Sequence, residues 1–146
     1  MCAQSVEAAD QGRDLLVVLM HAIVDGIDQT QLQRGKRLPD DWESFALVID
    51  VRADGTYASS HGFAYGGLDW VRPVSVDPDF VRDPLLAFMR DRYAGDDVMP
   101  VKVLFQMRLS DGSYDLTFED SDRSRWQVTP LNFVDVRTEL RPQFVG

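Results

Sequence analysis

Apolar and polar residues alternate most cleanly over residues 101 to 120. Val101, Val103, Phe105, Met107 and Leu109 alternate with Lys102, Gln106, Arg108 and Ser110, and beyond Asp111-Gly112 the residues Tyr114, Leu116 and Phe118 alternate with Ser113, Asp115, Thr117 and Glu119. Successive side chains of a strand point to opposite faces, so this period of two predicts a β-hairpin, turned at Asp-Gly, with one apolar and one polar face. A second hairpin is predicted earlier. Phe45, Leu47, Ile49 and Val51 alternate with Ser44, Ala46, Val48 and Asp50, the residues Ala53-Asp54-Gly55 offer a turn, and residues 56 to 65 return. In that return strand Tyr57, Phe63 and Tyr65 share a parity with Ser59 and His61, which predicts less burial, and Gly62, Gly66 and Gly67 invite a bulge or bend. Residues 68 to 76 add a short strand.

Helical spacing takes over elsewhere. Over residues 14 to 32, Leu16, Leu19, Met20, Ile23, Val24 and Ile27 recur every three or four positions, while Asp14, His21, Asp25, Asp28 and Gln31 fall mainly on the other side, the pattern of an amphipathic helix. Residues 1 to 10 are polar and uncapped and read as a flexible arm. Asp77-Pro78-Asp79 supplies an acceptor before proline at the first helical position, so a middle helix is expected over Phe80, Val81, Leu85, Phe88, Met89 and Tyr93, kinked at Pro84 and ending near Gly95. Residues 126 to 128 suggest a last short strand. Thr129-Pro130 then suggests the cap of a helix carrying Leu131, Phe133, Val134, Val136 and Leu140, stopped by Pro142. Sequential hairpins pair antiparallel, and an apolar sheet face needs a covering layer. The predicted architecture is therefore α+β: a two-layer sandwich, mainly an antiparallel sheet built from two hairpins, with an N-terminal, a middle and a C-terminal helix in a single domain of residues 1–146.

Composition narrows the partners more than the fold. The chain has 146 residues, 45% of them hydrophobic, enough for one substantial core. Its 24 acidic residues against 15 basic ones give a net charge of −9. That balance disfavours nucleic-acid phosphate, whose binding is driven by lysine and arginine releasing counterions, and fits a basic partner. Cys2 is the only cysteine, so neither an internal disulfide nor a cysteine-based zinc cluster can form. A reducing compartment follows. The N-terminal residues lack a basic region leading into an apolar core, and the longest apolar run, residues 15 to 20, is far below the roughly 20 residues that span a bilayer, so a cytoplasmic location and no membrane partner are expected.

The residue types that carry catalysis are sparse. His21 and His61 stand without a zinc-binding spacing or a serine or cysteine partner. Asp120-Ser121-Asp122 opens like a calcium loop, but Arg125 and Leu131 occupy the positions where such a loop needs glycine and glutamate. The glycines around Gly62, Gly66 and Gly67 form neither a dinucleotide fingerprint nor a phosphate loop. No metal and no cofactor is therefore expected, and no catalytic residue is assigned. The carboxylates Asp111, Asp115, Glu119, Asp120 and Asp122 read as a solvated acidic face, or as a patch complementary to a basic protein surface. Trp70 and Trp126, both near predicted loops, are the better interface candidates among the tryptophans, because Trp42 is expected to close the first helix against the sheet. Competing readings are a non-enzymatic interaction module, a homodimeric regulatory protein paired through a strand edge, and an enzyme using His61, Tyr65 and a nearby aspartate in a pocket.

The segment LPDDWESFALVIDV, the turn Ala53-Asp54-Gly55 and the hairpin LSDGSYDLTFED together resemble the YezG-like immunity proteins of bacterial polymorphic toxin systems. The resemblance runs over residues 15 to 126. Members of that family usually carry a tryptophan just before the third long strand, where this chain has Met99-Pro100-Val101. The resemblance implies a non-enzymatic antitoxin that binds a cognate toxin protein, often a basic nuclease-type domain, and blocks its active site. On that expectation Asp111, Asp115, Glu119, Asp120 and Asp122 steer and pair with the toxin, with Trp126 and Trp70 as anchors.

Overall fold

The structure, a computed structural model, describes residues 2–95 and 98–143, with side chains from residue 12 onward. Both predicted hairpins form. Strands β1 (Trp42–Val51) and β2 (Tyr57–Gly66) make the first and β4 (Lys102–Arg108) and β5 (Tyr114–Glu119) the second, while β3 (Val71–Val74) adds the short extra strand. All five pair antiparallel in one open sheet of order β3-β2-β1-β4-β5. The helices are α1 (Cys2–Gln33), α2 (Pro78–Arg92) and α3 (Phe133–Glu139), so the chain has the α+β architecture with an N-terminal, a middle and a C-terminal helix.

Register decides which side chains meet. Phe45, Leu47 and Ile49 of β1 stand opposite Met107, Phe105 and Val103 of β4, and all except Met107 are wholly inaccessible beneath α1 and α2. Leu19, Ile23 and Ile27 of α1 and Val81, Leu85 and Met89 of α2 meet them there, each fully buried. Burying a side chain of this size stabilises by about 1.5–3 kcal/mol, so this face supplies most of the cohesion. The close approach of α1 depends on Gly26, where a Cβ would lie 2.4 Å from Val76. By length and composition the stretch 12–33 could also cross a membrane; here Leu19, Ile23 and Ile27 are buried in this core, while Val17, Val18 and Leu32 are exposed.

Local chemistry explains the element ends. Asp77 caps α2, its carboxylate accepting from the Asp79 amide at 2.9 Å ahead of Pro78, and Pro84 is carried inside the helix. Gly66 marks a register shift between β1 and β2 and lies so close to the Trp70 ring that any Cβ would overlap it. A second shift, between Asp50 and Val51, turns Tyr57 away from the parity of Ser59 and His61 and onto the helix-covered side, where its hydroxyl donates to the Val76 carbonyl at 3.0 Å.

Three expectations need correction. The first helix starts at Cys2 rather than Asp14, so residues 2–10 extend α1 where a separate arm was expected; Met1 lies outside the described residues. Residues 126 to 128 form a turn and an extended coil instead of a strand. Finally α3 begins at Phe133, because Thr129 and Asn132 first close a reciprocal turn in which the Asn132 side chain accepts from the Thr129 amide at 2.6 Å and Thr129 Oγ1 accepts from the Asn132 amide at 3.3 Å.

Candidate functional site

The polar parity of the sheet has two fates. Its centre is not left to solvent: residues 121 to 141 run back across it as a strap, and Trp126, Val136 and Leu140 bury against Ala46, Val48, Phe63, Tyr65 and Leu104. Polar side chains of the sheet tie down the strap backbone. Lys102 Nζ donates to the Arg125 carbonyl at 3.0 Å, Gln106 Nε2 to the Leu140 carbonyl at 2.7 Å and the Tyr65 hydroxyl to the Arg137 carbonyl at 2.6 Å, while His61 Nε2 bonds the Trp126 carbonyl at 2.9 Å. Burial pushes the Tyr65 phenol well above its usual range, partly offset by Arg141 and Arg137, so the hydroxyl stays a donor.

This arrangement gives His61 and Tyr65 structural partners in the strap. A cleft of about 430 Å³ does open beside the strap, lined in part by Asp50, His61, Lys102 and Arg123. Asp50, His61 and Lys102 also make structural contacts, and Asp50 Oδ1 is buried without a hydrogen-bond partner. Asp50 Oδ2 accepts from Ser59 Oγ at 2.7 Å and Oδ1 lies 3.5 Å from Lys102 Nζ, whose side chain is 7% exposed, while Tyr65 points to a different carbonyl altogether. Among the described residues no three of His, Cys, Asp and Glu gather as metal ligands would.

The outer part of the polar parity, along β5 and its two turns, carries the carboxylates singled out from the sequence. They fall into two kinds. Asp111 builds the β4–β5 turn, accepting from Arg108 and from the Ser113 amide at 3.0 Å, and these bonds hold its carboxyl far below the usual range. Glu119 opens the strap: the amides of Asp122 and Ser121 donate to it at 3.0 and 3.1 Å and Arg125 at 2.9 Å, which lowers its pKa to about 2. Asp122 in turn accepts from the Ser124 hydroxyl and amide, and is lowered by them. Asp115 and Asp120 are exposed. Hydrogen bonds to the charged form lower the pKa of Asp111, Glu119 and Asp122 and fix the direction in which each carboxylate points.

The three tryptophans sit in different surroundings, and Trp42 packs against the helix-covered core as expected. Trp126 is 8% exposed and covered by its own chain, with a left-handed backbone (φ 63°) that turns its ring onto the sheet beneath the Arg125 guanidinium, 4.4 Å from the ring centre. It is an anchor for the strap rather than a free interface residue. Trp70 is half-buried, bonded to Asp41 Oδ1 at 2.7 Å and packed on Gly66. Trp42 borders a groove of about 560 Å³ between α1 and the start of β1, floored by apolar side chains and edged by Asp25, Asp28 and Asp40. Sequence reasoning missed that groove because its walls are far apart in the chain: α1, the loop before β1, and Met107 and Leu109 at the end of β4.

No family model, curated protein or solved structure matches this chain.

Proposed function

We propose that the chain is a non-catalytic binding protein of the immunity type, which neutralises a basic toxin domain through its acidic surface. The observation that carries this reading is the state of the carboxylates at the ends of β5. Asp111, Glu119 and Asp122 are held in fixed orientations by dense hydrogen bonding, and Asp115 and Asp120 stand exposed near them. A nuclease-type toxin presents cations to phosphate, so pre-oriented carboxylates offer it a substitute and speed its encounter with the inhibitor. Two further facts agree with a binder. The net charge is −9, and the polar side chains that converge on the sheet are committed to the strap.

The test is co-expression. The reading requires a neighbouring reading frame encoding a secreted protein with a C-terminal toxin domain, and the chain must restore growth to cells making that domain. Asp115→Lys with Asp120→Lys should then slow association and weaken protection, and both effects should shrink as salt rises. Growth that stays arrested while the folded chain is present removes the reading.

A further inference from the structure

We infer that the groove beside Trp42 is a docking site for a segment of a basic protein that inserts one apolar side chain and flanks it with arginine or lysine. This goes beyond the acidic hairpin and does not require the partner to be a toxin: the groove is lined by α1, the loop before β1 and Met107 and Leu109, and by none of the hairpin carboxylates, although Asp111 and Asp115 lie at the same end of the hairpin and Glu119 at the other.

The floor accounts for the apolar part of that partner. Val24, Leu38, Trp42, Met107 and Leu109 line it, and Leu38 is buried while the others are only partly so. The one polar atom of the Trp42 ring is already spent, because Nε1 donates to the Ser44 carbonyl at 2.7 Å. The ring therefore offers the groove carbon alone, and covering it costs no unpaired donor.

The rim accounts for the charged part. Asp25 and Asp28 stand exposed one turn apart on α1, and Asp40 faces them from the loop with its side chain 97% exposed. Among the described residues Arg37 is the one arginine or lysine lining the groove, and its 3.6 Å contact with Asp40 is loose and solvated. The three carboxylates outnumber Arg37 and leave the rim acidic. Such a rim repels phosphate, whether on nucleic acid or on an anionic lipid surface, and attracts a cationic protein segment. A bare cation would gain nothing from the apolar floor.

The probe is a synthetic peptide with leucine between two pairs of arginines, titrated into the whole chain while the Trp42 indole N–H and Met107 methyl resonances are followed. Both should move saturably. A matched peptide with glutamates for arginines should leave them in place, and one with serine for leucine should move them far less. The variant Asp25→Asn/Asp28→Asn/Asp40→Asn changes only exposed side chains, and should fold normally and bind the arginine peptide about tenfold more weakly. The inference is overturned if the arginine–leucine peptide leaves Trp42 and Met107 unmoved, if the serine peptide binds as well, or if the triple variant binds unchanged. Failure here leaves toxin neutralisation standing, and failure of neutralisation leaves the groove standing.

Discussion

On the helix-covered side of the sheet, Phe45, Leu47, Ile49, Val103 and Phe105 disappear beneath α1 and α2 with hydrocarbon on every side. On the strap-covered side a smaller apolar set, centred on Val48, Phe63, Leu104 and Trp126, shares the surface with Lys102, His61, Gln106 and Tyr65, each bonded to a strap carbonyl. The first side is held by non-directional burial, with α1 seated closely at Gly26. The second is held by directed bonds to a backbone that has little regular structure of its own, so its fit depends on individual donors.

The largest effect should come from emptying the first side. Phe105→Ala removes a fully buried ring from beneath the helices, and such truncations cost about 3–5 kcal/mol when the site cannot collapse. Chemical denaturation should show a single transition moved to much lower denaturant, with protection lost together in α1, α2 and β4. If instead the transition barely moves, the helical layer is not the principal source of stability and the contrast between the two sides fails.

A donor on the second side should act more locally. Lys102→Met keeps most of the side chain's volume but deletes the bond to the Arg125 carbonyl and the 3.5 Å ion pair with Asp50. Leaving a covered carbonyl unpaired costs about 1–3 kcal/mol. Amide exchange should accelerate first between residues 121 and 128, while the centres of β1 and β4 keep their protection. Acceleration spread evenly over the molecule would mean that strap and sheet open as one unit.

The same contrast separates what the sequence discloses from what it conceals. A period of two in residues 101 to 109 and a period near 3.6 through Leu19, Ile23 and Ile27 report burial against a large flat partner, and β1, β4, α1 and α2 are readable from them. Asp77-Pro78 announces its helix because the cap is a purely local bond. The strap is different. Lys102, His61 and Gln106 fall on the polar parity and look solvated, since nothing local marks a side chain that will meet a carbonyl as many as 65 positions away, as His61 meets Trp126. Trp126 was legible as a large ring near a loop, but its left-handed backbone, which decides that it turns inward, is set by the tertiary contact. The carboxylates of the candidate site were legible as a group, and their division into turn-building Asp111, Glu119 and Asp122 and exposed Asp115 and Asp120 was not.

The smallest effect tests how far that division matters to the strap. Glu119 has its pKa lowered from 4.5 to about 2, chiefly by the amides of Asp122 and Ser121 and then by Arg125. A carboxyl whose folded value is depressed contributes stabilisation that is complete above its unfolded value and is lost as pH falls through the folded one. The turn that starts the strap should therefore be unaffected down to about pH 4.5 and loosen progressively towards pH 2, seen as a change in the Ser121 and Asp122 amide shifts that follows the Glu119 carboxyl titration. Asp111 titrates low as well, but its bonds lie in the β4–β5 turn at the other end of the hairpin, so its effect registers on Ser113 instead. Glu119→Gln keeps an acceptor oxygen while removing the charge, and should abolish the acid response at Ser121 and Asp122 without touching that at Ser113. If the variant retains the same response, another group opens the strap and Glu119 is a bystander. If the response vanishes, a surface carboxylate that resembled its exposed neighbours in the sequence is a hinge pin of the second side, fully in place above about pH 4.5.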